Sequence, residues 1–220
     1  MSRIYLDIIT AVNILILAIP VIILFSNLKR QSWSFKWLAF LLAFTLAIEV
    51  TGPTFFLLGL NPNIVANASY LFSIPLFCIF SAQVMEWKRI RPWLVVTFLY
   101  VGFTCFNLFF IQKISINSYT DVLQSLIILL LCLAYFYKLL KELPTQQLQT
   151  LPLFWIMSAF FFTNAGKLAI YAVTDYMIHV EKDNLILVWS VHNFLSLVGY
   201  IMIGYGAWLN HKEFKSMPSL

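Results

Sequence analysis

The sequence is poor in charged side chains. Asp, Glu, Lys and Arg make up 10% of the 220 residues, whereas hydrophobic residues make up 61%. A water-soluble domain usually carries about 25% charged residues, because its surface must be covered with groups that water solvates. The composition therefore excludes a water-soluble globular domain and predicts that the chain lies in a lipid bilayer.

Cysteine and histidine are also scarce, with three of each. Cys78, Cys105 and Cys132 lie in apolar stretches without metal-ligand spacing, so we interpret them as packing residues. The histidines occur singly, without the paired His and acidic pattern of membrane metal hydrolases. The sequence therefore predicts no cofactor, no metal and no catalytic residue, and an enzyme is not expected.

Long apolar stretches dominate what is present. A helix of about 20 residues crosses a bilayer core about 30 Å thick, and seven stretches reach that length. They predict an all-α membrane protein with seven transmembrane helices, at roughly 5–26, 37–58, 66–86, 93–112, 119–140, 152–174 and 185–209. The first stretch lacks a small-residue cleavage site, so no signal peptide is predicted.

The basic residues lie mainly on one side of these stretches. Ten of the 14 Lys and Arg residues fall between helices 1 and 2, 3 and 4, or 5 and 6, or after helix 7. By the positive-inside rule, this side is cytoplasmic. We therefore predict a multi-pass protein of the cell inner membrane, with its N-terminus outside. Topology and bilayer contact explain the net charge of +5, and nucleic acid is not an expected partner.

Two parts of the sequence are similar to each other. Residues 37–49 and 155–167 share Trp, Phe, Thr and Ala at matching positions, and their alignment places Glu49 opposite Lys167. A Tyr-x-Asp motif also begins both helix 1 and helix 5, as Tyr5-x-Asp7 and Tyr119-x-Asp121. The pattern predicts two parallel three-helix units within one transmembrane domain.

This repeat predicts a 3+1+3 arrangement within residues 1–220. The first unit covers 1–90, a linking helix 91–114, the second unit 115–212 and a cytoplasmic tail 213–220. The layout resembles that of SWEET-type sugar transporters and of microbial rhodopsins in helix number and orientation. Helix 7 has no lysine for a retinal Schiff base, so retinal is not expected.

A second resemblance concerns helix 7 and helix 2. The segment Leu187-Val-Trp-Ser-Val-His-Asn193, the glycines and aromatics that follow it, and Ile48-Glu49 resemble small seven-helix bacterial membrane proteins found with, or fused to, two-component sensor kinases. The resemblance implies a cytoplasmic or membrane signalling partner. The chain departs from the fused form, because no kinase domain follows residue 210.

Polar residues within the predicted helices lie in the outer half of the bilayer. A lysine at the centre of a membrane helix costs about 2.5–3.5 kcal/mol, so Lys167 indicates a functional site with a partner. We predict that Lys167 pairs with Glu49 across the two units, beneath an outward-facing polar cup. The predicted ligand-binding residues are Glu49, Lys167, His192, Asn193, Asn164, Asn13, Ser73 and Gln124, with Tyr5, Asp7, Tyr119 and Asp121 at the mouth.

Three functions fit this pattern. The leading prediction is a sensor or receptor-like module that binds a small polar ligand or a proton and signals to a partner. The main alternative is a small-solute or proton-coupled transporter, which would need a polar path through the inner half. A third is an oligomeric pore-forming or structural subunit, in which Gly199, Gly204 and Gly206 serve either a contact face or internal packing. A purely structural Glu49–Lys167 pair is also open.

Overall fold

The computed structural model describes most of the chain as helix. The described backbone covers 3–86, 91–112, 117–142, 147–179 and 185–216, and the described side chains 8–86, 92–112, 117–142, 147–172 and 189–212. These residues form seven helices: α1 (Arg3–Ser26), α2 (Trp33–Leu57), α3 (Asn63–Val84), α4 (Arg91–Phe106), α5 (Ser118–Glu142), α6 (Pro152–His179) and α7 (Leu185–Ser216). Each helix overlaps its predicted stretch, so the all-α prediction is confirmed.

Six of the helices, α1 to α6, are long and apolar enough to cross a membrane. Over its described side chains, 189–212, α7 does not reach the same apolarity. Large apolar side chains point away from the bundle; Leu15 and Phe98 are 68% and 79% exposed. Such a surface suits lipid rather than water.

The helices pack as a ring in chain order. Each helix contacts its neighbours in sequence, α1 also packs against α7, and α3 packs directly against α5. Helix α4 therefore lies outside the ring, against α3 and α5. The two predicted three-helix units contact each other directly at two interfaces, α1 with α7 and α3 with α5, so α4 is not their only connection. The repeat and the orientation in the membrane stay predictions.

Glycines allow α6 and α7 to pack closely. A Cβ atom at Gly199 would collide with Oγ1 of Thr163, and one at Gly206 would lie 2.8 Å from the backbone oxygen of Pro152. At Gly204 a Cβ would make only an ordinary van der Waals contact. Of the two uses predicted for these glycines, internal packing accounts for Gly199 and Gly206.

The two ends of the bundle differ. We call the end formed by the first residues of α1, α3, α5 and α7 and the last residues of α2, α4 and α6 the cavity end, since a cavity lies there. The opposite end, the closed end, holds most of the buried apolar core. Phe77, Phe80 and Phe160 pack together, with 4.9 Å between the ring centroids of Phe77 and Phe160. Phe77 lies one turn beyond Ser73, so these rings pack between the cavity wall and the closed end.

Candidate ligand cavity

A cavity of about 350 Å³ lies between α2, α3, α5, α6 and α7 at the cavity end. Ligand pockets commonly enclose about 300–1,000 Å³, so the space suits a small molecule. The charged and titratable side chains on its wall are Glu49, Tyr70, Asp121, Lys167, Tyr171 and His192. Five helices thus bring both signs of charge to one cavity.

Half of the predicted site residues line this cavity. These are Glu49, Ser73, Asp121, Gln124, Lys167 and His192. The prediction placed Asp121 at the mouth and the other five within the outer half of the bilayer, and the ring of helices turns all six toward the same space. Apolar side chains, including Phe44, Ile48 and Trp189, complete the wall.

Asn13 and Asn193 contact each other and do not line the cavity. Asn13 Nδ2 donates to Oδ1 of Asn193 at 2.9 Å and to its backbone oxygen at 3.2 Å. Asn193 Nδ2 in turn donates to the backbone oxygen of Trp189. The pair fastens α1 to α7, and a ligand-binding role for the two amides stays a prediction.

Asn164 and Tyr119 also fall outside the cavity wall. Asn164 is buried, and its Nδ2 donates to the backbone oxygen of Phe160 at 2.8 Å, within its own helix. Tyr119 is 48% exposed, and its ring takes no part in the wall. Tyr5 and Asp7 lie on the backbone of α1, but their side chains are outside the described residues.

Glu49 and Lys167 face the same cavity but form no direct ion pair. Oε1 of Glu49 accepts a hydrogen bond from the Tyr200 hydroxyl at 3.2 Å, which ties α2 to α7. Among the residues whose side chains are described, Lys167 has no hydrogen-bond or ion-pair partner. The predicted direct bridge is therefore wrong, because a buried tyrosine on α7 holds the carboxylate. Both charged groups line one cavity, with their charged atoms more than 4.0 Å apart.

Asp121 is held in a similar way. The Tyr70 hydroxyl on α3 donates to Oδ2 of Asp121 on α5 at 2.9 Å. Within the described part of the chain, Oδ1 of Asp121 and Oε2 of Glu49 receive no hydrogen bond. Each carboxylate is thus oriented by one tyrosine and keeps one oxygen for another donor.

An aromatic group surrounds His192. The Tyr171 hydroxyl lies 3.3 Å from Nδ1 of His192, and the Trp189 ring centroid is 5.4 Å from the imidazole centroid. Tyr171 is on α6, one turn after Lys167, so this contact joins α6 to α7 beside the lysine. The arrangement positions the imidazole and the phenol on one side of the cavity.

Gln124 is oriented from two helices. Its Oε1 accepts from the Ser73 hydroxyl on α3 and from the Tyr100 hydroxyl on α4, each at 3.0 Å. Because the oxygen is occupied, the amide nitrogen is left for other acceptors, and no described residue accepts from it. The side chain therefore offers N–H donors at the cavity wall.

A buried amide network supports the rim. Helix α4 ends in a π-helical turn, Asn107–Ile111, whose first residue is fully buried. Asn107 Nδ2 contacts Oδ1 of Asn117 at 3.3 Å and Oγ1 of Thr120 at 3.0 Å, and Asn117 donates to Asn67 on α3. The network joins α3, α4 and α5, and it positions the two cavity-lining residues Asn67 and Asn117.

Tyrosines are the site residues that the sequence prediction missed. Tyr70, Tyr171 and Tyr200 orient the acidic and imidazole groups, yet none was in the predicted set. A signal was present, because Tyr171 follows Lys167 by four residues and so shares its helix face. Tyr200 follows His192 by eight residues, which also keeps one face.

The fold and the cavity together define a helical membrane protein with a polar cavity inside its bundle. Comparison of the chain with protein-family models, curated proteins and solved structures gives no match. The class therefore follows from the helices and the cavity alone, and the resemblance to sensor-kinase-associated proteins stays a prediction.

Proposed function

We propose that this protein is a receptor-like membrane module that binds a small polar molecule in the cavity and passes the change to a partner. The observation that carries the proposal is the Lys167 ammonium, which faces the cavity and makes no hydrogen bond or ion pair within 4.0 Å to a described residue. A charge inside a membrane bundle is costly unless it is paired or hydrated. A bound polar ligand would offset that cost.

The closed end favours sensing over transport. A transporter needs its site to open to both sides in turn, so polar groups should continue below the cavity. Here the region between the cavity and the closed end holds packed aromatic rings, and Phe77 and Phe80 are 1% and 0% exposed. The packed rings support a binding site with one entrance.

Binding in the cavity would act on contacts between helices. The Tyr200–Glu49 bond links α7 to α2, and the Tyr70–Asp121 bond links α3 to α5. A ligand that competes for either carboxylate changes how these helices pack, which is a physical route from binding to a shift between two states. We propose that a partner at the closed end reads this shift.

The distribution of basic residues supports the orientation that we propose. The closed end carries Lys29, Arg30, Lys36, Lys138, Lys141 and Lys212. The positive-inside rule places this end in the cytoplasm. The cavity then opens to the outside of the cell inner membrane, where an external molecule reaches it.

Cysteine labelling tests the cavity and its side of the membrane. Cys78, Cys105 and Cys132 are replaced by alanine, and a single cysteine is then introduced as Ser73→Cys on the cavity wall. Intact cells are treated with a charged thiol reagent that does not cross membranes. We expect labelling of Ser73→Cys from outside. The control Ser81→Cys, at a fully buried position toward the closed end, should stay unlabelled.

Each result has a defined meaning. Labelling of Ser73→Cys only in inverted vesicles would contradict the orientation, and its absence from both sides would contradict the open cavity. Vesicles that contain the purified protein alone should show no solute or proton flux. Flux without a partner would replace the receptor-like function with transport.

A further inference from the structure

We propose that the ligand is a small zwitterion that carries both an ammonium and a carboxylate, with an uncharged side chain. Its carboxylate binds Lys167 and its ammonium binds Glu49. This inference rests on the proposed function, since it assigns a chemical class to the ligand of the same cavity. Neutral α-amino acids are the simplest members of that class.

The balance of charge on the wall is the first step. The described wall residues include one ammonium, Lys167, and two carboxylates, Glu49 and Asp121. An anion would pair with the lysine and leave both carboxylates without a cation in contact. A simple amine would balance the net charge of the wall, but it would supply no group in contact with Lys167, which lies beyond the 4.0 Å limit of an ion pair from both carboxylates. A ligand with both groups bonds to Lys167 and to Glu49, and it leaves Asp121 to the Tyr70 hydroxyl that already donates to it.

The separation of the charges is the second step. Glu49 and Lys167 face one cavity, yet their charged atoms lie beyond the 4.0 Å limit of an ion pair. A charge-assisted hydrogen bond spans about 2.7–2.9 Å, so a molecule with its two charges one carbon apart can bond to both residues at once. The ligand then fills the space between the two residues and makes a strong hydrogen bond to each of them.

The exposure of each carboxylate decides which one binds the ammonium. Asp121 is buried, at 9% exposed, whereas Glu49 is half-buried. Glu49 is therefore the more accessible of the two carboxylates. Tyr200 holds one oxygen of Glu49, so the other oxygen has a fixed position for an N–H donor.

The apolar residues of the cavity wall indicate which side chain the ligand carries. Phe44, Ile48 and Trp189 present apolar surface beside the charged groups. A volume of about 350 Å³ accommodates one amino acid but is small for an extended peptide. These surfaces favour an uncharged aliphatic or aromatic substituent.

Matched ligands test the charge requirement directly. Neutral amino acids from glycine to phenylalanine are titrated into the full-length protein in lipid nanodiscs and followed by calorimetry. Each is compared with its decarboxylated amine and its deaminated acid, for example phenylalanine with 2-phenylethylamine and 3-phenylpropanoate. We expect at least one amino acid to bind, and to bind at least about tenfold more tightly than either single-charge analogue.

Two variants should abolish this selectivity. Lys167→Met should still bind the amine, but it should no longer bind the amino acid more tightly than the amine. Glu49→Gln should still bind the acid, but it should no longer bind the amino acid more tightly than the acid. Lys138→Met and Glu142→Gln change the same residue types at the closed end, so they should retain the parent selectivity. The ratio of the affinities for two ligands is measured on the same variant, so a change in the stability of that variant does not affect the ratio.

The outcomes separate this inference from the proposed function. Equal affinity for the acid and the amino acid would contradict the inference that the ligand is a zwitterion. An unchanged ratio of the affinities for the amino acid and the amine in Lys167→Met would contradict it too. In both cases the proposal that the cavity binds a ligand would still stand. Binding of none of the amino acids would also overturn the zwitterion inference. The proposal that the cavity is open to one side of the membrane is contradicted only when Ser73→Cys is inaccessible from both sides.

Discussion

Lys138 at the closed end and Lys167 at the cavity end are two lysines of one bundle with opposite surroundings. Lys138 Nζ donates to the backbone oxygen of Met85 at 3.1 Å and lies 3.9 Å from carboxylate oxygens of Glu86 and Glu142. Lys167 faces a cavity and has no such partner in the described part of the chain. The first lysine completes the end of α3, where a cation stabilises the terminal carbonyls. The second is placed for a group that the described chain does not supply.

The same contrast holds for packing. The closed end is held by apolar side chains with little exposed surface, and by glycines that bring α6 and α7 together. The cavity end is held by hydrogen bonds between tyrosine, carboxylate and amide groups of different helices. We therefore expect substitutions at the closed end to change stability, and substitutions at the cavity end to change binding.

The largest effect is expected among the packed aromatic rings below the cavity. Phe77→Ala removes a ring that is 1% exposed and packs against Phe80 and Phe160, so it should lower the free energy of unfolding by about 3–5 kcal/mol. Thermal unfolding in detergent measures the change. Phe98→Ala is the control, because that ring is 79% exposed toward lipid. Equal destabilisation by both substitutions would contradict close packing of these rings.

A smaller loss is expected where α6 meets α7. Gly199→Ala forces a methyl group against Oγ1 of Thr163, and such overpacking typically costs about 1–3 kcal/mol. Adding Thr163→Ala should restore part of the melting temperature. Gly102→Ala, at a position with nothing within 4 Å, should have no comparable cost. Absence of rescue would place the strain elsewhere.

The double variant Lys167→Met/Glu49→Gln should act in the opposite direction on stability. It removes one charge of each sign from the cavity wall, so we expect the ligand-free protein to gain about 1–2 kcal/mol, within the range found when buried charges of opposite sign are replaced together by uncharged groups. Lys138→Met should instead destabilise, because it removes a satisfied ammonium. Thermal melts of both variants without ligand measure this difference, and loss of stability in the double variant would contradict a net cost of the two charges.

The smallest effect concerns the tyrosine that orients Glu49. A double-mutant cycle of Tyr200→Phe and Glu49→Gln should give a coupling of about 0.6 kcal/mol, the average for interhelical hydrogen bonds in a membrane. Tyr135→Phe at the closed end is the control, since no described residue bonds to its hydroxyl. A coupling near zero would mean that the carboxylate is not held by Tyr200 in the membrane.

Much of the fold could be predicted from the sequence, because a helix that crosses a bilayer must satisfy its own backbone hydrogen bonds and be apolar along its length. This constraint made α1 to α7 visible as stretches of suitable length. The depth of Glu49, Lys167 and His192 also followed from counting residues along a helix. The contacts between side chains of different helices could not be predicted in this way, since the partner of Glu49 depends on which helices pack together.

The sequence by itself determined seven helices, their approximate bounds and a concentration of polar side chains at one end. Tertiary structure alone decided that Asn13 pairs with Asn193, that Tyr200 holds Glu49, and that Lys167 is left facing a cavity. The physical reason is the range of each interaction. Backbone satisfaction and apolarity act within a single helix, whereas a hydrogen bond between helices depends on their rotation and spacing, which the whole ring sets together.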